Sequence, residues 1–192
     1  MISFIVESPN IDSNVFTFDL NKQETQNTTE DFSIEAIESF KDNEYQMIWQ
    51  TGVHYYEKAM EEVRRHGLQE RIKCTVFIDR MDMAYAAADV VISRAGAMSI
   101  SELSLLRKAV VFVPLPTAAE DHQTKNAMSL VEEKAAMMVK NSATEKELLP
   151  TVFALLEDEQ IQNEMKDNIA KFAKPNAAED IVDQIEMILN EK

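Results

Sequence analysis

The sequence predicts an α/β fold, a Rossmann-like doubly wound parallel sheet followed by C-terminal helices. Short apolar runs alternate with helical patterns from about Tyr45 onward, which is the order expected of strand–helix–strand units. Residues 90–92 and 109–113 are apolar at every position, as in parallel strands that are buried on both faces. Three consecutive helical patterns then fill the C-terminal part of the chain.

Each element of this pattern has a local reason. In the first helix, Ala59 and Val63 stand four residues apart on one face, and Gly67 ends the helix. Pro114 and Pro116 end the strand at residues 109–113, because proline lacks the N–H that a sheet ladder needs. The predicted strands are residues 46–50, 72–77, 90–92, 109–113 and 136–139, and the helices between them are residues 55–66, 81–88, 99–106 and 121–134.

The C-terminal part of the chain predicts three helices, at residues 144–156, 160–172 and 177–189. They are separated near Asp158 and at Pro175. The last helix carries apolar residues at helical spacing, and this spacing predicts that it packs against the sheet. These residues are Ile181, Ile185, Ile188 and Leu189.

Residues 1–44 are poorly defined by their pattern. Residues 2–6 predict a strand, and residues 32–40 predict a helix with apolar positions at Phe32, Ile34, Ile37 and Phe40. The polar stretch of residues 21–29 predicts a mobile loop. We therefore divide the chain into an N-terminal segment, residues 1–44, and a sheet domain, residues 45–192.

Composition narrows the function classes. A formal charge of −15 argues against nucleic acid as a partner and against broad adhesion to anionic lipid, although a local patch would still allow peripheral membrane association. No apolar run reaches the roughly 18 residues of a transmembrane helix, and the N-terminus lacks the pattern of a secretory signal. We therefore expect a cytoplasmic protein. The single Cys74 excludes an internal disulfide, and no residue spacing indicates a metal or a cofactor.

The most informative segment is residues 89–102, DVVISRAGAMSISE, which predicts a strand, a glycine turn and the start of a helix. Such a turn directs backbone N–H groups and the positive end of the helix dipole at one point, as in phosphate sites. Glu102 in the first turn is placed to bind sugar hydroxyls next to that phosphate. Ser99 and Glu102 also fit a capping box, in which the two residues satisfy each other's free N–H groups. Both interpretations stand at this point.

Two further polar segments follow strand ends. Residues 117–126 carry more polar side chains than a helix cap requires, although Thr117 and Glu120 fit a second capping box. Residues 77–81 predict either a pocket wall for a flat base or a loop with a buried Phe77 and a helix-capping Asp79. Because loops at the carboxyl ends of parallel strands converge on one crevice, we expect these segments to face the same ligand.

Three segments in this order, FIDRMDMAYAAAD at 77–89, VISRAGAMSISE at 91–102 and FVPLPTAAEDHQTKNA at 112–127, resemble the C-terminal half of the MurG family. That family transfers N-acetylglucosamine from UDP-N-acetylglucosamine to lipid-linked muramoyl-pentapeptide in peptidoglycan synthesis. The resemblance covers roughly residues 45–189. It implies a GT-B fold of two Rossmann-like domains, with the sugar nucleotide held mainly by the C-terminal one.

The resemblance also implies roles for individual residues. Glu102 would bind the ribose hydroxyls, and Arg94 occupies a motif position with a less defined role. The remaining residues of the implied site are Ile78 and Met81 at the uracil, Ala97, Met98 and Ser99 at the pyrophosphate, and His122 and Gln123 at the N-acetylglucosamine. The implied reaction is an inverting displacement at the sugar C1 that needs no catalytic metal, because helix dipole and backbone donors stabilise the departing diphosphate.

The sequence also departs from the family pattern. Residues 1–44 contain no glycine, whereas a glycine-rich loop normally opens the family's C-terminal domain. Arg107 and Lys134 stand where the family usually has glycine, and Ala109 where it usually has proline, so we expect strain at turns that favour positive φ. We see no counterpart of the N-terminal domain that holds the lipid acceptor. The sequence therefore predicts donor binding more directly than turnover by this chain alone, with a non-catalytic module as the alternative and a sugar-nucleotide epimerase as a third reading.

Overall fold

The computed structural model of this chain describes residues 3–7 and 34–190, with side chains from residue 37 onward. In these residues, six parallel strands form one sheet in the order β3-β2-β1-β4-β5-β6. The strands are β1 Ser3–Glu7, β2 Gln46–Gln50, β3 Ile72–Thr75, β4 Val90–Ser93, β5 Ala109–Phe112 and β6 Met137–Met138. This order reverses between β1 and β4, as in doubly wound sheets that bind nucleotides at such a point.

The helices follow the predicted order with small shifts at their ends. They are α1 Tyr56–Arg65, α2 Met81–Ala87, α3 Ala97–Leu105, α4 His122–Glu132, α5 Thr144–Glu157, α6 Glu159–Ile169 and α7 Ala177–Asn190. Short 3-10 helices are formed by Ile34–Asp42, Ala119–Asp121, Asn141–Ala143 and Ala170–Phe172. The predicted α/β class is confirmed, and β1 lies in the middle of the sheet although it belongs to the poorly defined N-terminal segment.

The core lies on both faces of the sheet, as the uniformly apolar strands predict. In β4, Val90 and Ile92 join one buried cluster with Trp49, while Val91 points to the opposite cluster with Phe112. Alternation along the strand produces this division, because successive side chains point to opposite faces. The positions that would be polar in a sheet with one exposed face are therefore apolar in residues 90–92 of β4 and in β5.

The N-terminal predictions are only partly within the described residues. The predicted strand is present as β1, and the predicted helix is a 3-10 helix whose Ile37 and Phe40 are fully buried. Phe32 and the predicted loop at residues 21–29 lie outside the described residues.

Three helices end in the same motif. After α1, the N–H of Leu68 bonds to the carbonyl of Val63 while Gly67 adopts a φ of 70°, which is the Schellman arrangement. After α3 and α4, the same position is taken by Arg107 and Lys134, each with a φ of 53°. The predicted strain at these two turns is therefore confirmed, since side chains disfavour this backbone conformation.

The prediction that the last helix packs against the sheet is wrong. Ile181 is 61% exposed and Ile185 is 53% exposed, and no described residue of α7 is buried. Periodicity correctly predicts an apolar face but does not say what the face contacts. The described residues thus leave the apolar side of α7 uncovered.

Candidate functional site

The N-terminus of α3 lies next to the point where the strand order reverses. Gly96 is the residue before the helix and has extended backbone angles, and no side chain caps the helix. The first N–H groups of a helix have no intrahelical partner, so those of Ala97, Met98 and Ser99 form a patch of donors. A Cβ added to Gly96 would meet nothing within 4 Å, which shows open space at this turn. Donors of this kind, together with the positive end of the helix dipole, favour an anion such as a diphosphate.

Both predicted capping boxes are wrong. The helix α3 begins at Ala97, so Ser99 is its third residue and Glu102 lies in the second turn rather than the first. At the second segment, the residues before the 3-10 turn and before α4 are Ala118 and Asp121, and neither makes a side-chain cap. The exposed carboxylate of Glu102 is thus not used as a cap, and four-residue spacing puts it on the same face of α3 as Met98.

The structure gives Arg94 a role inside the protein. Its Nη1 donates to the carbonyls of Val113 and Pro114, at 2.8 and 3.2 Å, and to the side-chain oxygen of Asn141 at 2.8 Å. The guanidinium therefore ties the end of β4 to the end of β5 and to the turn after β6. We conclude that Arg94 holds three neighbouring loops in place at the carboxyl edge of the sheet.

The segment after β5 approaches the same edge. The side-chain oxygen of Gln123 accepts the N–H of Leu115 at 2.9 Å, which fixes the start of α4 against the preceding loop. His122 is exposed, and its Nδ1 lies 2.8 Å from the carbonyl of Ala119. The polar residues at the start of α4 thus line an open surface, while one of them also holds the loop.

Between these residues, Glu120 and Asp121 have φ values of 52° and 56°, which are strained for residues other than glycine. No residue pattern in this segment predicts these two strained positions.

A hydrogen bond joins the two loops. Asn126 Nδ2 donates to the carbonyl of Ala95 at 3.2 Å, linking α4 to the turn that precedes α3. Asn126 is the last residue of the polar segment 117–126, and its position there does not predict this bond. The predicted convergence of these two segments is therefore seen in a direct contact.

The segment after β3 carries the third group of predicted site residues. Ile78 and Met81 are half-buried against the cluster that contains Tyr85 and Ala95, so they lie on the side of the sheet from which α3 begins. The loop interpretation with a buried Phe77 and a capping Asp79 is wrong, because Phe77 is 51% exposed and the residue before α2 is Arg80, which makes no side-chain cap.

Pairing or burial shifts the pKa values of Asp82, Cys74 and Lys108. The guanidinium of Arg80 hydrogen-bonds the carboxylate of Asp82 and lowers the pKa of that carboxyl group. Burial raises the pKa of the Cys74 thiol to about 11, which leaves it a protonated, weakly reactive group. Burial lowers the pKa of Lys108, whose ammonium donates to the carbonyl of Ala88.

In the part of the chain that the structure describes, no group of three His, Cys, Asp or Glu side chains is placed to hold a metal ion. Within the same residues, no helix has the length and apolar character needed to cross a membrane.

Comparison with known proteins agrees with this geometry. Residues 18–181 match the glycosyltransferase family 28 C-terminal domain. A Christiangramia forsetii protein is 45% identical over 81% of this chain, and a Parabacteroides distasonis protein is 46% identical over 81% of it. Both are named UDP-N-acetylglucosamine–N-acetylmuramyl-(pentapeptide) pyrophosphoryl-undecaprenol N-acetylglucosamine transferase. The chain spans only 41% and 42% of their lengths.

Solved structures show the same fold. Acinetobacter baumannii MurG is 27% identical, with a TM-score of 0.75 over 97% of this chain and 52% of the MurG chain. A UDP co-structure of S. aureus MnaA is 14% identical, with a TM-score of 0.66 over 98% of this chain and 46% of that one, and shows the likeness of fold alone. The architecture, the donor patch at α3 and the matched residues agree, and the chain belongs to the glycosyltransferase family 28 C-terminal domain family.

Proposed function

We propose that this chain binds UDP-N-acetylglucosamine and is the donor-binding half of a MurG-type N-acetylglucosaminyltransferase of peptidoglycan synthesis. The observation that carries the proposal is the uncapped N-terminus of α3 at the point where the strand order reverses. An anionic diphosphate is the ligand that such a helix end favours. The names of the relatives that share 45% and 46% identity with this chain supply the sugar nucleotide.

The loops suggest a role for each part of the ligand. The pyrophosphate would lie against the N–H groups of residues 97–99, and the carboxylate of Glu102, one turn along the same helix, would accept the ribose hydroxyls. Ile78 and Met81 would flank the uracil, since they line the same side of the sheet. His122 and Gln123 would face the N-acetylglucosamine, and Arg94 would hold the loops around it.

This arrangement suits an inverting displacement. A hydroxyl of the acceptor would form a bond to the sugar C1 as the bond from C1 to the diphosphate breaks, and UDP would leave with the electron pair. The backbone donors and dipole of α3 would stabilise the charge on the departing diphosphate, which is a large term in such catalysis. In this proposal, the lipid-linked acceptor and the base that takes its proton would require the other half of the enzyme.

The proposal also gives the chain a location. A donor-binding half that works on an undecaprenol-linked acceptor would act in the cytoplasm, at the inner face of the membrane, as a peripheral component. Nucleic acid is not expected as a partner, because a net charge of −15 repels phosphate backbones.

A second candidate is a non-catalytic module of the same fold. It is favoured by the bonds of Arg94 and Gln123, whose side chains are engaged with backbone carbonyls and an N–H of the protein itself. Transfer of N-acetylglucosamine to a lipid acceptor analogue, measured with the relatives' N-terminal half supplied as a separate chain, would exclude this candidate.

Isothermal titration calorimetry tests the main proposal. UDP-N-acetylglucosamine and UDP should both bind, with UDP weaker, and Glu102→Ala should abolish binding by removing the acceptor for the ribose hydroxyls. Glu61→Ala, on an exposed position of α1, is the matched control and should bind as the original chain does. Absence of binding at millimolar ligand, or undiminished binding by Glu102→Ala, would contradict the proposal.

A further inference from the structure

Gln50, at the end of β2, is a buried glutamine whose side-chain amide is only partly hydrogen-bonded. Gln50 is 1% exposed, and its Oε1 accepts the N–H of Ile78 at 2.9 Å. Its Nε2 is also buried and has no hydrogen-bond partner among the described residues. Burying an amide donor without a partner costs free energy, and an apolar side chain of the same size would avoid that cost.

The bond from Ile78 to Gln50 is one of several hydrogen bonds that join the end of β2 to the end of β3 and the loop after it. The N–H and hydroxyl of Thr51 both donate to the carbonyl of Thr75, at 2.9 and 3.2 Å, so the ends of β2 and β3 are joined. The hydroxyl of Thr75 donates to the carbonyl of Phe77 at 2.8 Å. Gln50 continues this series to Ile78, three residues beyond the end of β3.

Through this bond, Gln50 contacts the loop that is predicted to form a wall of the base site. Val76, Phe77, Asp79 and Arg80 are exposed, whereas Ile78 is half-buried between them. The helix α2 begins at Met81, and Arg80, the residue before it, makes no side-chain cap. The bond from Ile78 to Gln50 therefore fixes the exposed loop that leads into α2.

We propose that Gln50 is a positioning residue for the nucleobase: its side-chain oxygen holds the Ile78 peptide so that Ile78 and Met81 form a rigid wall for the base before ligand binds. This inference rests on the proposed binding of a uridine nucleotide. A loop fixed in advance lowers the entropy cost of binding, so the effect falls on ligands that carry a base. A ligand made of the diphosphate alone meets α3 and does not depend on Gln50.

The test compares Gln50→Met with the original chain. Methionine keeps the volume but removes the acceptor, and it also removes the unpartnered donor, so the urea midpoint should not fall. The dissociation constant for UDP should rise about tenfold, because a tenfold loss of affinity matches the net free energy of about one hydrogen bond. The dissociation constant for inorganic pyrophosphate should stay the same. The matched control is Gln46→Met, at the opposite end of the same strand, which should change neither constant.

Amide hydrogen exchange supplies a readout without ligand. The N–H of Ile78 should be protected in the original chain and should exchange faster in Gln50→Met. Equal loss of UDP and pyrophosphate binding, unchanged UDP binding, or an unprotected Ile78 in the original chain would each overturn the role of Gln50 while leaving donor binding intact. If the original chain binds neither UDP nor pyrophosphate, the proposed function and this inference both fail.

Discussion

Glycine at the two strained helix ends is expected to stabilise the fold. Arg107 and Lys134 each hold a φ of 53° at the position that glycine takes after α1. Replacing a residue that has a side chain by glycine in this conformation removes strain of about 1 kcal/mol. Arg107→Gly and Lys134→Gly are therefore expected to raise the free energy of unfolding.

Each glycine variant also loses one ion pair, which sets the net magnitude. Arg107 lies 3.2 Å from Asp167, and Lys134 lies 3.3 Å from Glu164, with all four side chains at least 49% exposed. Such surface pairs contribute only a few tenths of a kcal/mol. The net gain in the free energy of unfolding should be about 0.5 to 1 kcal/mol for each variant. Each kcal/mol corresponds to an increase in Tm of roughly 2–4 °C.

Urea unfolding followed by circular dichroism measures this gain, and two controls separate its causes. Arg107→Ala removes the ion pair but keeps the strained φ, so it should be slightly less stable than the original chain. Gly67→Ala should lose about 1 kcal/mol, because Gly67 has a φ of 70° while its added Cβ would meet nothing within 4 Å. The reasoning is refuted if Arg107→Gly is no more stable than Arg107→Ala.

Three other changes give distinct outcomes. Arg94→Met should lower the free energy of unfolding by about 2 kcal/mol, because the two N–H groups of Nη1, which are shared among three acceptors, are lost at about 1 kcal/mol each. Arg65→Met on exposed α1 should change the urea midpoint little, and equal midpoints for the two variants would contradict the role of Arg94. Deletion of residues 177–192 should leave the urea midpoint nearly unchanged, because no described residue of α7 is buried. It should also reduce self-association seen by light scattering, because it removes an exposed apolar face. A large loss of stability would show that α7 is packed. The free energy of unfolding should fall between pH 9 and about pH 11, because the Cys74 thiol has its ordinary pKa of 9.0 in the unfolded chain and a pKa of about 11 in the folded chain. Cys74→Ala should flatten this slope, and an identical slope would contradict the reasoning.

The sequence predicts the sheet well because its evidence is local. The strands β2, β4 and β5 are apolar runs between turn residues, and their bounds agree to within one residue with the prediction. The ends of α1 also follow from neighbouring residues alone, whereas the strain at Arg107 follows from the departure from the family pattern. Local pattern and local structure coincide at these elements.

The predictions that fail depend on contacts between residues far apart in the sequence or on the exact residue at which a helix begins. The Ser-x-x-Glu pattern at Ser99 also occurs inside a helix, and α3 begins two residues earlier than the pattern suggests. The bond of Arg94 to Asn141 joins residues 47 apart, so no local signal announces it. The strand β2 carries a glutamine at each end, so its pattern alone does not distinguish the role of Gln50 from that of Gln46. The exposed face of α7 shows that periodicity cannot name the surface that a helix meets.

The central claim, that α3 holds the diphosphate of a sugar nucleotide, is tested most directly by amide chemical shifts. In a titration with UDP-N-acetylglucosamine, the amide signals of Ala97, Met98 and Ser99 should move most, together with those of residues 78–81. Inorganic pyrophosphate should move the signals of α3 and leave those of residues 78–81 in place. Shifts confined to other parts of the chain, or no shift at millimolar ligand, would contradict the claim.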